Sequence, residues 1–382
     1  MEKIIMDVNQ LKIYRLACKV LEGKLKVKDF ARLINKSYRQ SQRILKKVED
    51  KDFLGVIHGN TGKTPHNKTP EHIEAQIKDW LSYKYQDFNI THFMEMVLEN
   101  EHYPQMPKKS TVHKLAAKHG LVKGVRRSKR RSFKPRPRME QEGMLIQFDG
   151  SNHVWFGSER TDLLAAIDDA TGKIVGAEFF YGEKSQHCLK VIKDLIEENG
   201  IPEAFYMDQA GIYGKADREW ESQIARAFEQ LNIRLILASS PQAKGRVERL
   251  FRTLQDRLVS ELKLYNVNDI EEANKYLKRF IKKFNKQFTV KPIEDEKAYR
   301  RNVFGNLDLI LCRKERRKIN VGNIFSYQSV TWLIDEKRCY RGRQVNINTH
   351  VDGRQSFDIM GREIRPKPIK SSKFLGHKKR AV

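Results

Sequence analysis

The sequence predicts a multi-domain protein: all-α helix-turn-helix units at the N-terminus, an α/β mixed sheet in the centre, and a small antiparallel β-barrel at the C-terminus. Three observations predict it. Up to about residue 122, apolar residues recur at the spacing of amphipathic helices. From 140 to 262, short apolar runs ending in turns alternate with helical stretches in the order βββαβαβα. From Gly322, short runs of alternating polarity are divided by turns such as Asp352-Gly353. The expected segments are two helical units (1–65 and 66–122), a basic linker (123–139), the central core (140–262), a helical connector (263–318), the β-barrel (319–364) and a basic, disordered tail (365–382).

Length and charge bound the function. The 382 residues suffice for two or three cores, and 74 Lys+Arg against 48 Asp+Glu leave a net charge of +26. Such an excess calls for a polyanionic partner, most simply nucleic acid. Cys18, Cys188, Cys312 and Cys339 are far apart, so neither a zinc site nor a disulfide framework is signalled. No apolar run approaches ~18 residues, and the first residues lack a secretory signal. A soluble, cytoplasmic protein is expected.

The first unit holds a helix with Leu11, Tyr14, Leu16, Ala17, Val20 and Leu21, a second at 27–34, a polar turn, and a third at 38–48. That third helix presents Arg39, Gln40, Gln42, Arg43 and Lys46. Arg and Gln there suit base edges in the major groove. Segment 53–63 reads as a wing, with Lys63 in a loop lying on phosphates. Its Gly59-Asn-Thr-Gly-Lys-Thr64 is not a P-loop, because two residues rather than four separate the glycines and Pro65 follows. Three more helices fit residues 69–119, the last presenting Ser110, Thr111, His113 and Lys114 as a second reader. Residues 123–138 carry nine basic residues and no acid. Arg126, Arg127, Arg130 and Arg131 are expected to follow phosphates from an extended linker.

In the core, three strands at hairpin spacing (144–148, 163–167, 173–180) should pair antiparallel. A helix at 187–199, a strand at 204–207, a helix at 217–231 and a strand at 233–237 follow. The chain then enters Ser240-Pro-Gln-Ala-Lys-Gly-Arg-Val-Glu248 and a helix whose Val247, Leu250, Phe251, Leu254 and Leu258 form one apolar stripe. Lys244, Glu248, Arg252 and Gln255 share one flank of it. Two strands end in aspartate, Asp149 and Asp208. If the first and fourth strands are neighbours, both carboxylates meet, and the last helix lays Glu248 against them. Three oxygen ligands without His or Cys imply Mg²⁺ or Mn²⁺. Two such ions about 3.5–4 Å apart hold the attacking and leaving oxygens of a phosphoryl displacement. Asp168 and Asp169, before Thr-Gly, are assigned to turn chemistry. His153 and Trp155 are candidates for positioning DNA or for loop and core roles.

The segments Gln147-Phe-Asp-Gly-Ser151, Tyr206-Met-Asp-Gln-Ala210 and Ser240-Pro-Gln-Ala-Lys-Gly-Arg-Val-Glu248 resemble the signature segments of DDE transposases with an integrase core. The layout is similar to that of bacterial insertion-sequence transposases, the ISNCY-like group in particular. The resemblance implies an RNase H-like fold, with Asp149, Asp208 and Glu248 matching the catalytic triad. It also implies metal-dependent cutting at the transposon ends to leave a 3′-hydroxyl, then strand transfer into target DNA. Terminal inverted repeats and target duplex would be the partners, in a homodimeric or higher synaptic complex on the bacterial nucleoid. One departure concerns the position seven residues after the Glu, where many relatives carry Lys or Arg and this chain has Gln255. Lys244, Arg246, Arg249 or Arg252 then takes the terminal DNA contact. Two other functions stay open at this stage: a DNA-binding regulator with an inactive core, and an RNase H-type nuclease without strand transfer.

After the core, a basic helix is expected at 268–288 with Leu277, Phe280, Ile281 and Phe284 on one face. It can pack on the core, contact DNA, or both.

Overall fold

A computed structural model describes residues 7–61, 65–66, 68–122, 136–182, 184–208, 218–238 and 245–369, and the chain divides into two compact units, up to Ile73 and from Glu74. Lys63 and the linker arginines Arg126, Arg127, Arg130 and Arg131 lie outside the described residues, as does Lys244.

The first unit packs α1 (Val8–Leu21), α2 (Val27–Leu33) and α3 (Tyr38–Lys51) around Ala17, Phe30, Leu45 and Val48. Side-chain caps define the starts of α1 and α3. Asp7 and Gln10 form a reciprocal capping box on α1, and Ser37 accepts the Gln40 N–H at 3.2 Å to start α3. The expected wing is absent among the described residues. Asp52–Val56 is instead a 3₁₀ turn, and Gly55 lies so close to Lys47 that a Cβ there would fall 2.3 Å from its carbonyl oxygen. That close approach folds the segment back on α3 rather than out into a strand.

The second unit centres on a five-stranded sheet in the order β3-β2-β1-β4-β5. Its strands are β1 (Ile146–His153), β2 (Thr161–Asp168), β3 (Ile174–Phe180), β4 (Ala204–Asp208) and β5 (Arg234–Ala238). β1, β2 and β3 pair antiparallel, while β4 runs parallel to both β1 and β5. The first and fourth strands are therefore neighbours. α7 (Ser185–Asn199) and α8 (Arg218–Gln230) cover one face through a core that includes Phe148, Ile192, Phe205 and Phe228. α9 (Gly245–Leu264) and α10 (Ile270–Phe288) cover the other, packing on Trp155, Leu163, Ala165 and Phe179. Gly200 ends α7 with φ 101°, where a Cβ would also sit 2.9 Å from the Arg300 carbonyl oxygen, so both conformation and space call for glycine.

Preceding the sheet, α4 (Glu71–Ser82), α5 (Ile90–Asn100) and α6 (Lys109–Lys118) form a helical module. Its α5 docks on the outer side of α9. Arg257 bonds Glu95 at 2.6 Å, Asn89 bonds Asp256 at 2.5 Å, and buried His92 meets Glu261 at 2.7 Å, with the Tyr276 hydroxyl on the other Glu261 oxygen. On α6, Ser110, His113 and Lys114 are exposed and Thr111 is half-buried.

Past α11 (Leu307–Ile310), seven strands make two small sheets rather than one closed barrel. β6 (Arg313–Lys318), β9 (Gln344–Thr349), β10 (Gln355–Ile359) and β11 (Arg362–Ile364) form one, in the order β11-β10-β9-β6. β7 (Ile324–Tyr327), β8 (Val330–Leu333) and β12 (Lys367–Ile369) form the other. The sheets share a core of Phe325, Tyr327, Val345, Ile347 and Phe357 but no hydrogen-bonded strand pair. One strand corrects the expected tail: β12 lies where disorder was expected from residue 365 on, because backbone pairing with β8 orders a stretch whose side chains are mostly polar. Among the described residues no helix is long and apolar enough to cross a membrane.

Candidate active site

The candidate residues lie where β1 runs beside β4: Asp208 is the last residue of β4, whereas Asp149, expected at a strand end, lies within β1, which continues to His153. The parallel register of the two strands pairs Gln147 with Tyr206, so Asp149 and Asp208 stand level, each two residues further along its strand. Strand alternation puts Ile146 and Phe148 into the core under α7 and α8. Gln147 and Asp149 therefore belong to the opposite face, where α9 lies. Asp149 is half-buried, and one of its oxygens accepts the Gly150 N–H at 3.1 Å. The Asp208 side chain lies outside the described part of the structure.

Two hydrogen bonds tie α9 to β1 on either side of Asp149. The Gln147 Oε1 accepts the Val247 N–H in the first turn at 3.2 Å. Two turns later Gln255 donates to the Ser151 hydroxyl at 3.3 Å. Apolar burial supplies most of the adhesion: Val247, Leu250, Phe251, Leu254 and Leu258 are all 7% exposed or less, each contributing about 1.5–3 kcal/mol. A single hydrogen bond is worth about 1 kcal/mol net. It is directional, however, so it is the polar pair that fixes the helix along its axis. Glu248 follows Val247 directly, is exposed, and makes no ion pair among the described residues. The pairing with Arg252 that would make it an ordinary surface glutamate is absent there.

Asp169 holds the start of α9. Its carboxylate is fully buried and accepts from Gln147 Nε2 at 2.7 Å, from the Met139 N–H at 3.0 Å, from Arg246 at 2.9 Å, and from Arg136. Arg246 also donates to the Arg136 carbonyl at 3.1 Å. Burial pulls the Arg246 guanidinium below its ordinary value, against the opposing pull of Asp169. Arg246, expected on DNA, is thus committed to an internal ion pair, because the first turn of α9 rotates it towards β2. Arg249 and Arg252 remain exposed on α9.

The turn assignment fits Asp168, whose Oδ1 accepts both the Thr171 N–H at 2.8 Å and the Thr171 hydroxyl at 2.7 Å. Burial nevertheless pushes this carboxyl up, against the hydrogen bonds from Gly143 and Thr171. For Asp169 the turn assignment is too small. It joins β1, β2, α9 and the chain arriving from the linker. The signal available in the sequence was Gln147 itself, a polar residue two before Asp149 in the otherwise apolar run 144–148. Trp155 is a core residue, fully buried with its indole N–H on the Ser151 carbonyl at 3.0 Å, and His153 rests edge-on against it.

In the first unit, Arg39, Gln40, Gln42, Arg43 and Lys46 are all exposed on α3. As for metal binding, the donors at Asp149 and Asp208 are oxygen only, which suits a hard divalent cation. Among the described residues no three His, Cys, Asp or Glu side chains form a metal-binding group.

The chain is 30% identical over 365 residues to a putative transposase, y4bF, of Sinorhizobium fredii, covering 92% of this chain and 79% of that protein. It is 31% identical over 376 residues to the transposase for insertion sequence IS1202 of Streptococcus pneumoniae, covering 86% of this chain and 79% of that one. Among solved structures it is similar to a simian T-cell lymphotropic virus intasome in complex with a PP2A regulatory subunit (TM-score 0.35, 14% identity, 68% of this chain and 91% of that chain). It is also similar to the HTLV-2 integrase catalytic core domain in complex with magnesium (TM-score 0.29, 17% identity, 36% and 83%). No family model matches.

Proposed function

Because the chain belongs to the transposase family, we propose that Asp149, Asp208 and Glu248 form the acidic centre of a DDE-type polynucleotidyl transferase. On this reading the protein binds the terminal inverted repeats of an insertion sequence, exposes a 3′-hydroxyl at each end and joins it to target DNA. The observation that carries the reading is the parallel pairing of β1 with β4, whose register sets Asp149 level with Asp208 on neighbouring strands. The Gln147–Val247 bond supports it by setting Glu248 at the start of a helix on the same face.

The three carboxylates would hold Mg²⁺ or Mn²⁺, two ions in the fullest arrangement, which supply positive charge to the attacking and leaving oxygens of the phosphodiester. The chain's own residues do the rest. Arg249 and Arg252 attract the phosphate backbone towards the site. Gln147 and Asp169 fix the helix that carries Glu248, so the third carboxylate is placed before DNA arrives. The attacking group is an oxygen of water or of DNA, so no Ser or Tyr nucleophile is needed. Joining exchanges one phosphodiester for another, with the target 3′-oxygen as leaving group.

The exposed Arg39, Gln40, Gln42, Arg43 and Lys46 of α3 read the terminal repeat in the major groove, and α6 extends that reading with Ser110, His113 and Lys114. The basic linker with Arg126, Arg127, Arg130 and Arg131, together with Lys63 and Lys244, adds backbone contacts. Synapsis of two ends requires a homodimer or higher oligomer. The test is cleavage and strand transfer on DNA bearing the repeats that flank the gene, with Mg²⁺ or Mn²⁺, for wild type and for Asp208→Asn. Joined products from wild type alone, with both proteins binding the ends, support the reading. A wild type that binds the ends but neither cuts nor joins them is a regulator.

A further inference from the structure

Helix α10 is held on three sides. Ala273, Leu277, Phe280 and Phe284 are buried in the core beneath it. Two asparagines about three turns apart clamp it to β3. Asn274 accepts the Phe179 N–H at 2.8 Å and donates to the Phe179 carbonyl at 3.2 Å, and Asn285 treats Ile174 the same way at 2.8 and 2.9 Å. β3 is an edge strand, so these amides satisfy backbone groups that another strand would otherwise pair with. On the third side Lys283 and Gln287 reach Glu99 and Glu95 of α5.

The remaining side carries Lys275, Lys278, Arg279, Lys282 and Lys286, all exposed. Their spacing, i, i+3, i+4, i+7 and i+11, puts them in one stripe about 16 Å long. Among the described residues none of the five makes an ion pair, although ion pairs do form elsewhere along the surface, as at Lys190–Asp194. Arg279 leans over the Tyr276 ring at 5.4 Å. A charged helix face is usually just solvated. Two exposed glutamates, Glu271 and Glu272, open the helix one turn before Lys275; from Lys275 on the face has a single sign and a backbone clamped at both ends, so like charges stay in line instead of spreading apart. Such an array repels itself until a polyanion covers it. Lysines dominate it, and they act as point charges on phosphates rather than as bidentate readers of bases.

We infer that this face of α10 is a track for the sugar–phosphate backbone of duplex DNA, gripped without regard to sequence. The inference rests on the family's action on DNA and not on the carboxylate assignment. Its test is equilibrium binding of the full chain to a duplex of arbitrary sequence across a salt series, with divalent metal chelated. Replacing all five residues by Gln lowers the slope of log K against log salt by about 4, and each single replacement lowers it by about 1. Lys→Arg at the four lysines leaves the slope as in wild type. An unchanged slope in the five-fold variant overturns the proposal. So does a loss confined to DNA with the terminal repeats, which would make α10 a sequence reader. If the five-fold variant melts early, the single replacements decide. No carboxylate is altered and no metal is present, so failure here leaves the acidic centre standing, and failure of end cleavage leaves this measurement intact.

Discussion

The two ends of α9 are held in different ways. Its C-terminal half is enclosed: Arg257, Ser260 and Glu261 are buried, and each bonds a residue of the α4–α6 module. Its N-terminal turn depends on one glutamine and one aspartate, Gln147 and Asp169, with a single arginine, Arg246, from the helix itself. Both ends rest on the same apolar stripe. The difference teaches where rigidity comes from. The far end is an anchor with several partners, whereas the end that carries Glu248 is aimed by a short chain of polar contacts, from Gln147 to Val247 and from Asp169 to Arg246, which also reaches the Arg136 carbonyl.

That contrast can be broken from either end. The largest effect is expected for Glu248→Gln: end joining falls at least about 10³-fold. Its stability stays within about 0.5 kcal/mol of wild type, because Glu248 is exposed and unpaired among the described residues. Urea unfolding beside a joining assay checks both halves. Asp169→Ala strands Arg246 and the Gln147 amide, and is expected to cost about 3 kcal/mol of stability together with most of the activity. Gln147→Leu is the sharper probe. It leaves the stripe intact but frees the Val247 N–H, so turnover should fall about 10²-fold while end-binding affinity is unchanged. Equal losses in binding and turnover would count against an aiming role.

At the anchored end the expected effects are smaller and depend on pH. Burial pushes the Glu95 and Glu261 carboxyls up, but hydrogen bonds and charge from Arg257 at Glu95, and from His92 and Tyr276 at Glu261, bring both below their ordinary value. A folded-state value below the unfolded one means that the stabilisation is present above the ordinary glutamate range and is lost as pH falls through the depressed folded values. Wild type should therefore lose on the order of 1 kcal/mol more between neutral pH and pH ~4 than a Glu95→Gln/Glu261→Gln variant does. Denaturant midpoints at the two pH values measure it. Smallest of all, Gln255→Lys gives up the bond to Ser151, for a loss under about 1 kcal/mol. The same change adds a cation on the flank of α9 that carries Glu248 and Arg252, so binding of terminal DNA should hold or tighten.

Much of this architecture was legible in the sequence, for identifiable reasons. The βββαβαβα order could be read because each core strand is an apolar run closed by turn residues, and the α9 stripe because Val247 to Leu258 keep a helical period. Asp149 and Asp208 stood out because each follows an apolar run, although β1 continues past Asp149 to His153 through polar residues that pair with β2. What failed was structure held by the backbone or by buried charge. β6, Arg-Lys-Glu-Arg-Arg-Lys, has no apolar alternation at all and is a strand only because it pairs with β9. β12 was hidden in the same way inside a basic stretch. Closure of the barrel could not be judged, since strand polarity says which face is buried but not which edges meet. The wing failed at Gly55, where a missing Cβ permits contact with α3. The Arg246 ion pair could not be foreseen, because its partner, Asp169, lies far away in sequence and looked like one half of a turn.

The central claim is that Asp149, Asp208 and Glu248 make one site. Calorimetric titration of Mn²⁺ into the full chain tests it most directly, comparing wild type with Asp149→Asn, Asp208→Asn and Glu248→Gln. The account predicts saturable binding by wild type and at least about tenfold weaker binding by each variant, since removing any one oxygen donor opens the same site. Wild-type affinity in any one of the three would show that its carboxylate stands apart from the other two, and the acidic centre as drawn would be wrong.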